Sequence, residues 1–77
     1  MSAPPGEHLV FEGDGPIGEA QFQELRRRAL ALPGVVDCVR AGGDRLISVH
    51  FDPVQTRRAI VRTGMERADL RLLGARG

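Results

Sequence analysis

The chain contains no lysine, no tyrosine and no tryptophan, and Cys38 is the single cysteine among its 77 residues. Each absence removes a class of function. One cysteine closes no intramolecular disulfide and builds no cysteine-only metal cage. Phe11, Phe22 and Phe51 make up the whole Phe, Tyr and Trp content. All three fall at positions expected in the core, which leaves none to stack RNA bases on an exposed sheet. Charge of one sign is lacking too. Eleven arginines against ten acidic residues give a net charge of +1, so no global field calls for nucleic acid or an anionic membrane. No apolar run approaches the ~20 residues of a membrane span, and no signal-peptide core is visible. The expectation is a soluble, cytoplasmic protein that binds neither nucleic acid nor membrane.

A hydrophobic fraction of 42% suffices for one domain with a modest core. The polar, proline-bearing "MSAPPG" predicts a disordered tail over residues 1–7, a domain over 8–73 and a short C-terminal tail over 74–77. His8 to Glu12 is a short apolar run with β-branched and aromatic residues, a strand signal. "GDGPIGEAQ", Gly13 to Gln21, then turns the chain. Phe22, Leu25, Ala29 and Leu32 recur at helical spacing and predict a helix over 19–32, stopped by Pro33-Gly34. Val35–Arg40 and Leu46–Phe51 predict a hairpin turning at "AGGD", Ala41 to Asp44. Asp52, Pro53 and Gln55 read as cap, first position and capping box of a second helix over 53–63. Val54, Ala59, Ile60 and Thr63 would give that helix its buried side, and Gly64 would close it. Alternation of Ala68, Leu70 and Leu72 with Asp69, Arg71 and Leu73 predicts a last strand over 67–73.

The order βαββαβ predicts an α+β, ferredoxin-like sandwich. A four-stranded antiparallel sheet of order 4-1-3-2 would carry two helices on one face and leave the other bare.

Three stretches carry a resemblance: "LPGV" at Leu32–Val35, "VHFDP" at Val49–Pro53 and "AIVRTGM" at Ala59–Met65. In this order the chain resembles the heavy-metal-associated domain family, the soluble copper chaperones and metal-binding modules of metal-pumping ATPases, over about residues 8 to 73. The family's first loop carries G-M-x-C-x-x-C, whose two thiolates hold Cu(I), Zn(II) or a similar soft ion. Registered from Leu32-Pro33-Gly34, those cysteines fall on Gly18 and Gln21. A soft cation wants thiolates, and a glycine and an amide stand there instead. The resemblance therefore implies a vestigial metal loop.

Other candidates come from strand alternation. If Leu9, Phe11, Ile47, Val49 and Phe51 face the helices, then His8, Asp37 and His50 cross three neighbouring strands on the bare face. Two imidazoles and a carboxylate suit a divalent transition metal, Zn(II), Ni(II) or Cu(II); the competing reading is a row of solvated polar side chains. Val10, Val35, Val39 and Leu73 would share that face as an interaction surface for a protein partner or a second copy. Cys38 reads as a small core hydrophobe rather than a reactive thiol. Arginines 26–28, 57, 58 and 62 read as solvated helix faces. The G-x-G-x-x-G spacing at Gly13, Gly15 and Gly18 follows a strand, but the chain is too short for a doubly wound sheet. No nucleophile with base and orienting partner is visible, so no enzyme is expected. The reading is a small heavy-metal-associated-like domain without its Cu(I) motif, a protein-interaction module linked to metal handling or transport. The alternative is a metal carrier or sensor using the His/Asp group.

Overall fold

The computed structural model describes residues 6–76. Of the tails expected at 1–7 and 74–77, residues 1–5 and 77 lie outside the described residues, while Glu7 opens the first strand and 74–76 end the last. Strand β1 (Glu7–Glu12) leads to helix α1 (Glu19–Leu30); β2 (Val35–Arg40) and β3 (Leu46–Phe51) form a hairpin; helix α2 (Arg58–Glu66) precedes β4 (Arg71–Arg76). All strand pairs are antiparallel, and the sheet runs β2-β3-β1-β4. Read from the opposite edge, that is 4-1-3-2. The result is an α+β chain with a four-stranded antiparallel sheet and two helices, compatible with a ferredoxin-like fold.

The core is built by alternation. Leu9 and Phe11 of β1, Cys38 of β2, and Ile47, Val49 and Phe51 of β3 are buried on one face. Leu25 and Ala29 of α1, with Val61 and Met65 of α2, close over them. Phe22 and Leu32 pack at the margin, so the α1 stripe lies where its spacing predicts. The helix itself stops at Leu30, two residues early. Leu32 N–H turns back to Ala29 O at 3.0 Å, and Val35 N–H to Leu32 O at 3.3 Å.

The second half departs from expectation in several ways. Asp52 does begin a turn: its Oδ1 accepts from Val54 N–H at 2.9 Å, and its carbonyl accepts from Gln55 and Thr56 N–H, both at 3.0 Å. That turn does not propagate, because Arg57 is extended (φ −125°, ψ 152°) and the helix starts only at Arg58. Thr56, 5% exposed, is tucked against Gly34 at this break. Val54, 85% exposed, therefore belongs to no helix, and Ala59, Ile60 and Thr63 lie on the exposed side of α2. The buried stripe is Val61 and Met65. Gly64 lies within the helix rather than ending it. A Cβ there would sit 2.7 Å from Leu32 Cδ2, so Gly64 is the point where α2 closes on the end of α1. The last strand begins four residues late, at Arg71, and continues through 74–76, which were expected as tail. Residues 67–69 form a turn with Asp69 at φ 64°, and Leu70 is buried behind it.

Gly34 joins the two halves. Its φ of +77° lies in the left-handed region, and a Cβ would meet Thr56 Cβ and Cγ2 at 2.8 Å. Its carbonyl accepts from Asp52 N–H at 2.9 Å. Gly34→Ala is expected to cost about 1–3 kcal/mol through left-handed strain and overpacking. Gly42→Ala, where nothing lies within 4 Å, should stay within about 0.5 kcal/mol of wild type. Urea unfolding followed by circular dichroism compares the two; equal effects would show that the Gly34–Thr56 contact does not constrain the fold.

Candidate functional site

The loop after β1 is held closed by three devices. Ile17, 3% exposed, plugs the core. Gly13 N–H donates to Arg45 O at 2.9 Å, and Ile17 N–H to Asp44 O at 2.7 Å, so the loop docks on the β2–β3 turn. Arg40 then clamps it: Nη1 donates to Ile17 O at 2.8 Å while the guanidinium lies 4.7 Å from the Phe22 ring centroid. Arg40 shares the helix side of β2 with Cys38, a placement that strand alternation alone implies. Gly18 is the exposed residue preceding α1, and Gln21 is exposed on its first turn. Neither brings a thiolate to the loop, and two of the loop's backbone donors are already spent.

The bare face of the sheet is defined by register. His8 lies opposite His50 on β3, and His50 lies opposite Asp37 on β2. The imidazoles of His8 and His50 stack, with centroids 4.8 Å apart and planes inclined by 23°. Ser48 Oγ lies 3.2 Å from His50 Nε2, and Ser48 is itself only 6% exposed. Val10 and Val39 flank Ser48 from the two adjacent strands. Glu12 on β1 pairs with Arg71 on β4.

Some assigned residues do not join this face. Asp37 is opposite His50 along the backbone, but its Oδ1 accepts from Cys38 N–H at 2.8 Å and from Arg26 Nη2 at 3.2 Å. A bulge between Val35 and Asp37 shifts the register at this edge, and the carboxylate is taken up by α1 rather than by the histidines. Among the described residues no group of three or more His, Cys, Asp and Glu side chains comes together for a metal ion. Val35 lies opposite Phe51, a core residue, and packs against the core. Its neighbour Val36, 63% exposed, stands at the bulge instead. Leu73, 50% exposed, is the extra residue of a second bulge, between the Phe11–Leu72 and Val10–Gly74 pairs. Of the assigned residues, His8, Val10, Val39 and His50 share the open face, and the bulge takes Leu73 out of the alternation. Leu46, opposite Glu12, joins this face by the alternation of β3.

On the helical side, α2 and the sheet frame an open groove of about 480 Å³, floored by Leu9, Ala59 and Leu72. Its rim arginines are engaged, Arg58 with Glu7 and Arg62 with Glu66. No helix among the described residues is long and apolar enough to cross a membrane.

Cys38 is fully buried, and burial pushes its thiol up to about 11; the neighbouring Asp37 carboxylate adds to the rise, and Arg26 opposes it. The thiolate needed for metal binding or nucleophilic attack is thus suppressed at neutral pH. The unfolded chain gives up this proton first as pH rises. The stabilising contribution is therefore complete below the ordinary thiol range and is lost as pH climbs towards 11. With no lysine or tyrosine in the chain, this thiol is the one side chain ordinarily expected to titrate there. Stability measured by urea unfolding should fall between pH 9 and 11 in wild type and be flatter in Cys38→Ala. A thiol reagent at pH 8 should react only after unfolding. Rapid reaction of the native protein would place the thiol at the surface.

Compared with known proteins, the chain matches no family model, no curated protein and no solved structure.

Proposed function

We propose that this domain is a protein-interaction module whose working surface is the open face of its sheet, and that its first partner is a second copy of the same chain. The observation that carries the reading is the content of that face. Val10, Val39 and Leu46 share this face with a stacked histidine pair, and both helices are on the other side. Apolar side chains grouped on an uncovered sheet favour contact with another surface.

Charge favours a copy over a strongly acidic or basic partner. Among the described side chains the face sets one carboxylate, Glu12, against one guanidinium, Arg71, and that pair brings no like-charge excess to a second copy. Two such sheets can pack face to face at about 10 Å. Four strands at about 4.8 Å and six residues at about 3.3 Å give a face of about 19 by 20 Å. That is less than the ~800 Å² per partner of a standard interface, which favours a reversible association.

The resemblance to heavy-metal-associated domains supports a place in metal handling or transport. Without a thiolate pair at Gly18 and Gln21, that role is one of contact rather than of carrying Cu(I). Sedimentation velocity over a concentration series tests the surface. Wild type is expected to shift from monomer to dimer, and a Val10→Lys, Val39→Lys variant with an unchanged circular dichroism spectrum should remain monomeric. A wild type that stays monomeric throughout, or a variant that dimerises equally, would remove the open face as a self-association surface.

A further inference from the structure

We propose that His8 and His50 form a two-imidazole chelate for a single divalent transition-metal ion such as Zn(II), with the remaining coordination positions open to water or to donors from outside the chain. The inference stands on the geometry of the pair and does not require the face to dimerise.

The two residues are directly opposite each other on adjacent antiparallel strands. Cross-strand partners of this kind hold their Cβ atoms about 4.5–5.5 Å apart, and the ring centroids here are 4.8 Å apart. A tetrahedral ion with Zn–N bonds of about 2.1 Å needs its two nitrogens about 3.4 Å apart. In the stack the ring planes are inclined by only 23°, so their lone pairs do not yet converge. Turning the His8 ring about χ2, while His50 keeps its contact with Ser48, opens the stack into a splayed pair. The strands are already paired and need not move.

The surroundings support one ring in particular. Ser48, buried beneath the face, lies 3.2 Å from His50 Nε2. With His50 Nε2–H donating to Ser48 Oγ, the lone pair on Nδ1 is left for a metal. A ligating histidine typically gives its other N–H to such a partner. Competing donors are withdrawn: Asp37 is committed to Arg26 and the Cys38 amide, and Cys38 is fully buried. These are also the only two histidines in the chain. Imidazole selects borderline ions such as Zn(II), Ni(II) and Cu(II), whereas Mg(II) and Ca(II) require oxygen donors.

The test is a titration of the untagged chain with ZnCl₂ at pH 7.5, followed by calorimetry and by the imidazole ¹⁵N signals, at a concentration where sedimentation shows monomer. Under that condition, loss of metal binding and loss of self-association are separate results. One Zn(II) per chain is expected, with the His50 shift falling on Nδ1. His8→Ala and His50→Ala should each weaken binding by more than about tenfold, since even outer-shell partners of a metal ligand are worth 10–100-fold. MgCl₂ should move neither ring. Imidazole signals unmoved by Zn(II), or binding that survives either substitution unchanged, would overturn the chelate. A shift confined to Nε2 of His50 would overturn the donor assignment and the role given to Ser48.

Discussion

The pairing of β1 with β3 is the constraint on which the rest of the structure depends. Six consecutive pairs, from Glu7–Phe51 to Glu12–Leu46, hold the two central strands together. Because side chains alternate, this one register sends Leu9, Phe11, Ile47, Val49 and Phe51 to the helices and His8, Val10, Ser48 and His50 to the open face. A slip of β1 by one residue would turn its side chains over. It would bury His8 and expose Leu9 and Phe11, so the hydrophobic term that builds the core also fixes the histidine pair.

Much of this was legible because local chemistry and global fold agree over the first fifty residues. The α1 stripe, the strand alternation and the glycine turn at 41–44 each have one plausible reading, and the histidine pairing follows from strand order. Agreement fails after Asp52. Asp52, Pro53 and Gln55 carry sound helix-start chemistry, and they do make one turn; the extended Arg57, beside the Thr56–Gly34 contact, then breaks it. A tertiary contact between residues 22 positions apart overrides a local signal. The stripe Val61, Gly64, Met65 and Ala68 has helical spacing, but Gly64 also carries the signature of a helix terminator. A glycine inside a helix can mark the approach of another element rather than an end, and here Leu32 is that element.

The candidate site divides in the same way. Alternation correctly places His8 and His50 because it depends on period alone. It fails for Asp37, Val35 and Leu73 because both outer strands carry bulges, and a bulge adds a residue without any distinctive residue type. The Arg26 contact that claims Asp37 spans two elements and has no signature in spacing. What remains is a division of labour between surfaces. The first loop is closed by Ile17 and Arg40, the thiol is sealed in the core, and the open face keeps its valines and imidazoles accessible.

The stacked histidine pair is where fold and proposed function meet, and nuclear Overhauser contacts between the ring protons of His8 and His50 test it most directly. Strong contacts between the two rings are expected, with none from either ring to Phe11 or Phe51. Absence of ring-to-ring contacts, or contacts from His8 to those core phenylalanines, would contradict the register and with it the composition of both faces.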